Sequence, residues 1–239
     1  MSNIDVLESQ LFGLCHKALS SLNFMNVKQK PGTLEFEADD LVDKLIGILN
    51  LHQTPPPATT ATATATAAAK PPDNSMIGFS LFTAWFIMKV STQLGSGFEL
   101  RAELHKESNL KESYKENIKS YASHAKIDII PSELLVDFFV SPKGKKHCPV
   151  LTAESESKED LEFHDLSKLL LTTSPRRIYL ANIGSSKIDA ATTAIRDILD
   201  EASAAGILNL SDQICFVLYE KNGKNFVIHL FDYDQYRHL

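Results

Sequence analysis

The stretch CPVLTAESESKEDLEFHDLSKLLLTT, residues 148–173, holds the pattern on which the predicted fold depends. Residues 149–153 form a short, mainly apolar run, which predicts a buried β-strand. Glu154 and Glu156 follow, two positions apart. Side chains alternate along a strand, so both carboxylates point to the same face. Two like charges held side by side repel each other, which predicts a positive partner between them: a metal ion, a lysine or an arginine.

The sequence on either side of this stretch alternates between strand and helix patterns. Strands are predicted at residues 33–38, 98–104, 134–140, 149–153, 177–182, 213–219 and 225–231, and helices at 79–93, 110–125, 160–171 and 189–204. From residue 79 the order is a helix, a strand, a helix, two strands that complete a meander with the first, a helix, a strand, a helix and two strands. This order predicts an α/β fold with a mixed central sheet flanked by helices.

Composition divides the chain into three parts. Residues 1–53 predict a small helical appendage, which at this size is marginal as an independent fold. We expect it to pack on the main domain or to form a homodimer or bind a protein partner through its helices. Residues 54–74 form a low-complexity linker of Thr, Ala and Pro, and residues 75–239 form the α/β domain.

Charge and cysteine usage exclude several classes of protein. The formal net charge of −6 argues against a basic nucleic-acid coat protein, although a local basic groove is still compatible with it. The three cysteines are far apart and predict neither a disulfide framework nor a zinc module. No signal peptide is visible, and the most apolar run, residues 76–88, is shorter than the roughly 20 residues of a membrane helix. We expect a cytoplasmic protein that does not enter a membrane.

Asp137 interrupts the otherwise apolar run LLVDFFV at residues 134–140. An aspartate in a central strand costs several kcal/mol unless it is paired, hydrogen-bonded or bound to a metal. If the turn at Pro142 folds this strand back on the next one, Asp137 becomes a cross-strand neighbour of Glu154 or Glu156. Three carboxylates at one end of a sheet are the oxygen ligands that Mg²⁺ or Mn²⁺ prefers.

Over about residues 76–231 the chain resembles the restriction-endonuclease-like PD-(D/E)xK nuclease superfamily. The resemblance rests on the order of elements: a helix, a meander with Asp on its second strand and Glu-x-Glu on its third, and a helix–strand crossover. The resemblance implies a restriction-endonuclease-like core in which Asp137 and Glu154 bind Mg²⁺ or Mn²⁺. Glu156 would then occupy the position of the usual lysine, where a glutamate is a recognised variant. In some members a lysine reaches in from the following helix, and Lys168 is the candidate here.

Basic residues on both sides of the Glu-x-Glu strand are candidates for contacts with nucleic-acid phosphates. They are Lys143, Lys145 and Lys146 in the preceding loop, which we expect near the site, and Arg176 and Arg177 after the following helix. A solubilising turn would explain the lysines equally well. The arginines would also complement the negative C-terminal end of that helix.

Each acidic residue also has a plainer interpretation. Asp137 fits a solvated edge strand, and Glu154 and Glu156 fit a strand that has reached the surface. Lys168 falls nearly opposite the apolar stripe of its helix, which favours a solvated lysine paired with Asp165. Two hypotheses follow: a Mg²⁺-dependent nuclease that hydrolyses phosphodiester bonds in DNA or RNA, or an inactive nuclease-like fold that serves as a binding or regulatory protein.

Overall fold

The computed structural model of the protein describes residues 13, 15, 17, 18, 33–37, 79, 82, 83, 85–87, 89, 90, 93–102, 128–129, 136–145, 148–156, 163–184, 187–208, 212–222 and 225–232. The expected linker at 54–74 and the expected helix at 110–125 lie outside these residues. Within them, the strands are β1 Thr33–Glu37, β2 Phe98–Ala102, β3 Asp128–Ile129, β4 Phe138–Pro142, β5 Leu151–Glu156, β6 Arg176–Ile183, β7 Gln213–Asn222 and β8 Asn225–Asp232. Two helices have defined bounds in this part of the chain, α1 His164–Leu170 and α2 Ile188–Ala204.

The described strands form one mixed sheet in the order β1-β8-β7-β6-β5-β4-β2-β3. The central strands β5, β6 and β7 are parallel to one another, and β4 and β8 flank them in antiparallel orientation. The parallel strands are joined through α1 and α2, as expected for β-α-β connections. The prediction of an α/β fold with a mixed sheet is therefore confirmed.

Helices cover both faces of the sheet. On one face, the apolar sides of α1 and α2 pack against alternate residues of β6 and β7, including Tyr179 and Phe216. On the other face, Tyr219 of β7 contacts Phe79 and Phe82 of a helical stretch, with ring centroids 5.6 and 5.9 Å apart. Burial on both faces explains why β6 and β7 read as nearly continuous apolar runs rather than as alternating ones.

Residues from the predicted N-terminal appendage contribute to this same architecture. β1 pairs with β8 in antiparallel orientation and forms one edge of the sheet. Cys15 is fully buried, and its thiol donates a long hydrogen bond of 3.8 Å to the carbonyl of Phe86. These contacts place described residues of the 1–53 segment in the sheet and core of the α/β domain.

The strand that carries Asp137 differs from its prediction. It was expected at residues 134–140, but the described strand begins at Phe138 and extends to Pro142, and Asp137 lies in a bend just before it. The expected turn does fold the strand back: the N–H of Lys145 donates to the carbonyl of Pro142 at 2.9 Å. Gly144 has φ +77°, a left-handed conformation that glycine adopts without steric cost.

A search of the described helices finds none with the length and apolar character needed to cross a lipid bilayer.

Candidate functional site

The pairing of β4 with β5 brings Asp137 and Glu154 together. Phe138 pairs with Ala153 at the end of the β4–β5 ladder, and Asp137 and Glu154 are the residues directly beyond this pair. The backbone N–H of Asp137 donates to Glu154 Oε2 at 3.3 Å. In return, Asp137 Oδ2 accepts hydrogen bonds from the backbone N–H of Ser155 at 2.8 Å and from its hydroxyl at 2.6 Å. The two acidic residues are thus held by each other's strands.

Both acidic residues are buried, and burial disfavours the charged form of a carboxyl group. Asp137 is 6% exposed and Glu154 is 1% exposed. Burial, and after it the nearby Asp137 carboxylate, raise the pKa of Glu154 to about 9. Lys168 lowers this pKa, but not enough to offset desolvation. In the absence of a bound cation, this environment therefore favours the protonated form of Glu154.

α1 places Lys168 over the end of β5. Lys168 Nζ lies 3.8 Å from Glu154 Oε1 and forms a closer ion pair with Asp165 one turn earlier. The Lys168 side chain is 47% exposed, so it connects the buried carboxyl group with the solvent. The hydrogen bond to Asp165 raises the pKa of Lys168 above its usual value. The expected i,i+3 pair is present, and the lysine also reaches toward the predicted site.

The position of α1 depends on Phe163, which directly precedes the helix. Phe163 has φ 45° and ψ 32°, a left-handed conformation that costs a non-glycine residue about 1–2 kcal/mol. Its ring is 2% exposed and packs against Tyr179, with ring centroids 6.2 Å apart. This buried contact offsets the backbone strain and fixes the start of the helix that carries Lys168.

Glu156 lies two positions beyond Glu154 on β5 and is half-buried. Side chains alternate along a strand, so both glutamates lie on the same face of the sheet. Tyr179 lies on this face too, because it pairs with Glu154 across β5 and β6. After burial, the carboxylate of Glu156 has the largest effect in raising the pKa of the Tyr179 phenol. Glu156 therefore lies within electrostatic reach of this cluster.

The expected convergence of three carboxylates on one metal ion is not seen. No group of three or more His, Cys, Asp or Glu side chains in the described part of the chain is arranged to hold a metal ion. Asp137 and Glu154 are adjacent, but the alternation of the strand carries Glu156 a further two residues along the sheet. The structure thus brings together two of the three carboxylates, with Lys168 as the third member of the cluster.

The donor atoms of this cluster nevertheless fit a hard divalent cation. Glu154 Oε1 is a buried oxygen that accepts no hydrogen bond from the described residues, since Lys168 Nζ at 3.8 Å is too distant. Carboxylate oxygens are the ligands that Mg²⁺ and Mn²⁺ prefer. A bound cation would satisfy this oxygen and favour the ionised form of Glu154, which reverses the effect of burial.

The basic loop lies far from the acidic pair, contrary to expectation. Lys143 and Lys145 are exposed in the turn after β4, whereas Asp137 precedes that strand. At about 3.3 Å per residue, the turn is about 20 Å from Asp137 along the strand. The loop was expected near the site because its residues adjoin the Glu-x-Glu strand in sequence, but the β4–β5 hairpin places them at its opposite end. Lys146 lies outside the described residues.

The two candidate arginines have different environments. Arg176 is half-buried at the first position of β6, and Arg177 is 3% exposed. The guanidinium of Arg177 donates to the Thr172 carbonyl at 2.7 Å and forms an ion pair with Asp212 at 3.4 Å. These internal contacts give Arg177 a structural role, and its burial does not fit the expected contact with phosphate.

Tyr179 belongs to the site and was missed by the sequence analysis. It is fully buried on β6, in register with Glu154. In the sequence it lies in the apolar run RIYLANI, where a tyrosine reads as an ordinary core aromatic residue. Only the parallel pairing of β5 with β6 places it beside the glutamate, and this long-range register is not visible in a local pattern.

Comparison with protein-family models, curated proteins and solved structures finds no significant match to this chain.

Proposed function

We propose that this protein is a Mg²⁺- or Mn²⁺-dependent nuclease that hydrolyses phosphodiester bonds in DNA or RNA. The observation that carries the proposal is the contact of Asp137 with Glu154, made by a 3.3 Å hydrogen bond, with Lys168 3.8 Å from the same glutamate. Burying two acidic groups beside each other lowers the stability of the fold. Such clusters of buried charged groups are typical of functional sites. Their chemistry suits a divalent cation and an anionic substrate.

The topology supports the finer proposal of a restriction-endonuclease-like core. Along β2, β4, β5 and β6, the successive pairings are antiparallel, antiparallel and parallel. Asp137 lies in the bend directly before the second of these strands, and Glu154 and Glu156 lie on the third. This is the arrangement that the resemblance to the PD-(D/E)xK superfamily implies.

Each residue of the site has a separate role in the proposed reaction. Asp137 and Glu154 would hold the cation, which when bound polarises a phosphoryl oxygen and lowers the pKa of water. Lys168 balances the negative charge of the carboxylates and, being half-exposed, is available to a phosphate that approaches from solvent. Glu156 would occupy the usual lysine position and serve as the general base.

A second candidate function is an inactive nuclease-like fold that binds a regulatory partner. Two observations favour it. Asp137 Oδ2 already accepts two hydrogen bonds from Ser155, so binding a cation requires competition with these bonds. The exposed lysines Lys143 and Lys145 lie at the opposite end of the β4–β5 hairpin, where they cannot contact a phosphate bound at Asp137.

Nuclease assays separate the two functions. The wild type is incubated with single- and double-stranded DNA and RNA in Mg²⁺, in Mn²⁺ and in a chelator, beside Glu154→Gln and the control Lys143→Met. The proposal expects metal-dependent cleavage that Glu154→Gln lowers at least about 100-fold, a loss typical for removing one charge-stabilising group from an active site. Lys143→Met should leave cleavage of a short substrate unchanged. Absence of cleavage in every metal would favour the inactive fold. Equal cleavage by Glu154→Gln would show that the cleavage does not arise at this site and would contradict the proposal.

A further inference from the structure

The buried hydroxyl of Tyr179 is in an unusual environment for a core aromatic residue. The side chain is fully buried, and within the described part of the chain no group lies at hydrogen-bonding distance from its oxygen. The ring itself is fixed between Phe163 and Phe216, with both centroids 6.2 Å away. A buried hydroxyl without a partner costs about 1–3 kcal/mol, so a ligand or an ordered water molecule is the usual explanation.

A complementary acceptor lies next to this donor. Tyr179 pairs with Glu154 across β5 and β6, so both side chains point to the same face of the sheet. Glu154 Oε1 also accepts no hydrogen bond from the described residues. Neighbouring strands are about 4.8 Å apart, and the phenol extends farther from the sheet than the carboxyl group. The two polar atoms therefore lie on the same face of the sheet, and neither makes a direct hydrogen bond with the other.

A third polar group faces Glu154 Oε1 from the helix layer. Lys168 Nζ lies 3.8 Å from this oxygen, which is too far for a direct hydrogen bond and leaves both groups able to bond to a water molecule. Buried water commonly makes about three hydrogen bonds to otherwise unsatisfied polar groups. Tyr179 and Lys168 supply two donors, and Glu154 supplies the acceptor. These are the partners that one water molecule requires.

We infer that one buried water molecule links Tyr179 Oη, Glu154 Oε1 and Lys168 Nζ, and that Tyr179 is a positioning residue for the Glu154 carboxyl group. The water accepts from Tyr179 and Lys168 and donates to Glu154. Burial and the carboxylates of Glu156, Asp165 and Glu154 raise the pKa of Tyr179, so the phenol remains a donor. The consequence for metal binding rests on the proposed function: groups that orient a metal ligand contribute about 10–100-fold to affinity.

Tyr179→Phe removes the hydroxyl and retains the packed ring. The matched control is Tyr219→Phe, which alters a tyrosine that is equally buried on the opposite face of the sheet. Crystal structures of the wild type and both variants, determined at a resolution that shows ordered water, give a readout that is independent of metal and activity. We expect the water in the wild type and in Tyr219→Phe, and its loss or displacement in Tyr179→Phe.

Mn²⁺ calorimetry on the same three proteins supplies the second readout. We expect Tyr179→Phe to weaken Mn²⁺ binding about 10–100-fold and Tyr219→Phe to leave it unchanged. A wild type with no water at Tyr179 Oη, or with a water that persists unmoved in Tyr179→Phe, overturns the inference. If the water is present but the wild type binds no Mn²⁺, the proposed function fails while the water site stands. Equal Mn²⁺ affinity of the wild type and Tyr179→Phe overturns the positioning role alone.

Discussion

Asp137 is tied to the strand that carries Glu154 by hydrogen bonds to Glu154 itself and to the next residue, Ser155. The Asp137 N–H donates to the Glu154 carboxyl group at 3.3 Å, and the Asp137 carboxylate accepts from the Ser155 N–H at 2.8 Å. This arrangement lets two buried acids lie side by side in the folded protein, since each has a partner for at least one oxygen. It also fixes the geometry of the candidate metal site.

Ser155→Ala tests the hydrogen bonds that hold Asp137. The Ser155 hydroxyl donates to Asp137 Oδ2 at 2.6 Å, and loss of a hydrogen bond to a buried charged group costs about 1.5–3 kcal/mol. We expect the free energy of unfolding from urea titration to fall by this amount. The control is Ser167→Ala, because the Ser167 hydroxyl makes only a 3.5 Å contact with the Phe163 carbonyl. A loss of unfolding free energy no larger than that of the control would show that the Ser155 hydroxyl does not stabilise Asp137.

Glu154→Gln tests the burial of the glutamate through pH. The pKa of Glu154 is raised from 4.5 to about 9, so between these values the folded state binds one more proton than the unfolded state. Its contribution to stability is therefore fully present below pH 4.5 and is lost as pH rises toward 9, with a slope of at most about 1.4 kcal/mol per pH unit.

Gln carries no titrating group, so we expect Glu154→Gln to be increasingly more stable than the wild type from pH 5 to pH 8.5 in chemical unfolding. Glu201→Gln, on the exposed side of α2, is the control and should follow the wild type. A constant difference between Glu154→Gln and the wild type across this range would show that Glu154 titrates normally.

Lys168→Met tests the link between the helix and the buried acid. Lys168 lowers the pKa of Glu154, so its removal should move that pKa above about 9. Titration of the Glu154 carboxyl carbon by ¹³C NMR measures the shift directly. Lys143→Met, at the far end of the hairpin, should leave the titration unchanged. Because Lys168 is 47% exposed, we expect a loss of stability of less than about 1 kcal/mol. An unchanged Glu154 titration in Lys168→Met would place the lysine outside the site.

Arg177→Ala tests the structural role of the buried arginine. The substitution removes the ion pair with Asp212, whose side chain is 9% exposed, and breaking a buried pair costs about 3–5 kcal/mol. Arg176→Ala is the adjacent control, and we expect it to lower the free energy of unfolding by less than about 1 kcal/mol. Equal effects of the two substitutions would show that Arg177 is not essential to the fold.

The fold class was predictable because its signals are local. Apolar runs bounded by turn residues marked the strands from β4 to β8, and the helical period marked α2, so the order of the elements gave a mixed α/β sheet. Asp137 and Glu154 were also detectable, since an acid inside or directly after an apolar run requires a partner.

The remaining features depend on register, which a local pattern does not contain. The basic turn adjoins Glu154 in sequence, yet the hairpin places it at the opposite end from Asp137. Tyr179 resembles a core residue until β6 pairs in parallel with β5. Arg177 reads as a surface cation, but its contacts with Thr172 and Asp212 form only in the folded chain. In each case, the relevant neighbour is distant in sequence or lies across a strand pair.

The most direct test of the central claim is Mn²⁺ calorimetry at pH 8 on the wild type, Asp137→Asn and Glu154→Gln, with Glu201→Gln as the control. Asn and Gln preserve shape and remove charge, so folded variants are expected. We predict stoichiometric binding to the wild type and the control, and its loss in both site variants. No binding by the wild type at millimolar Mn²⁺, or binding that survives both substitutions, would contradict a metal site at Asp137 and Glu154.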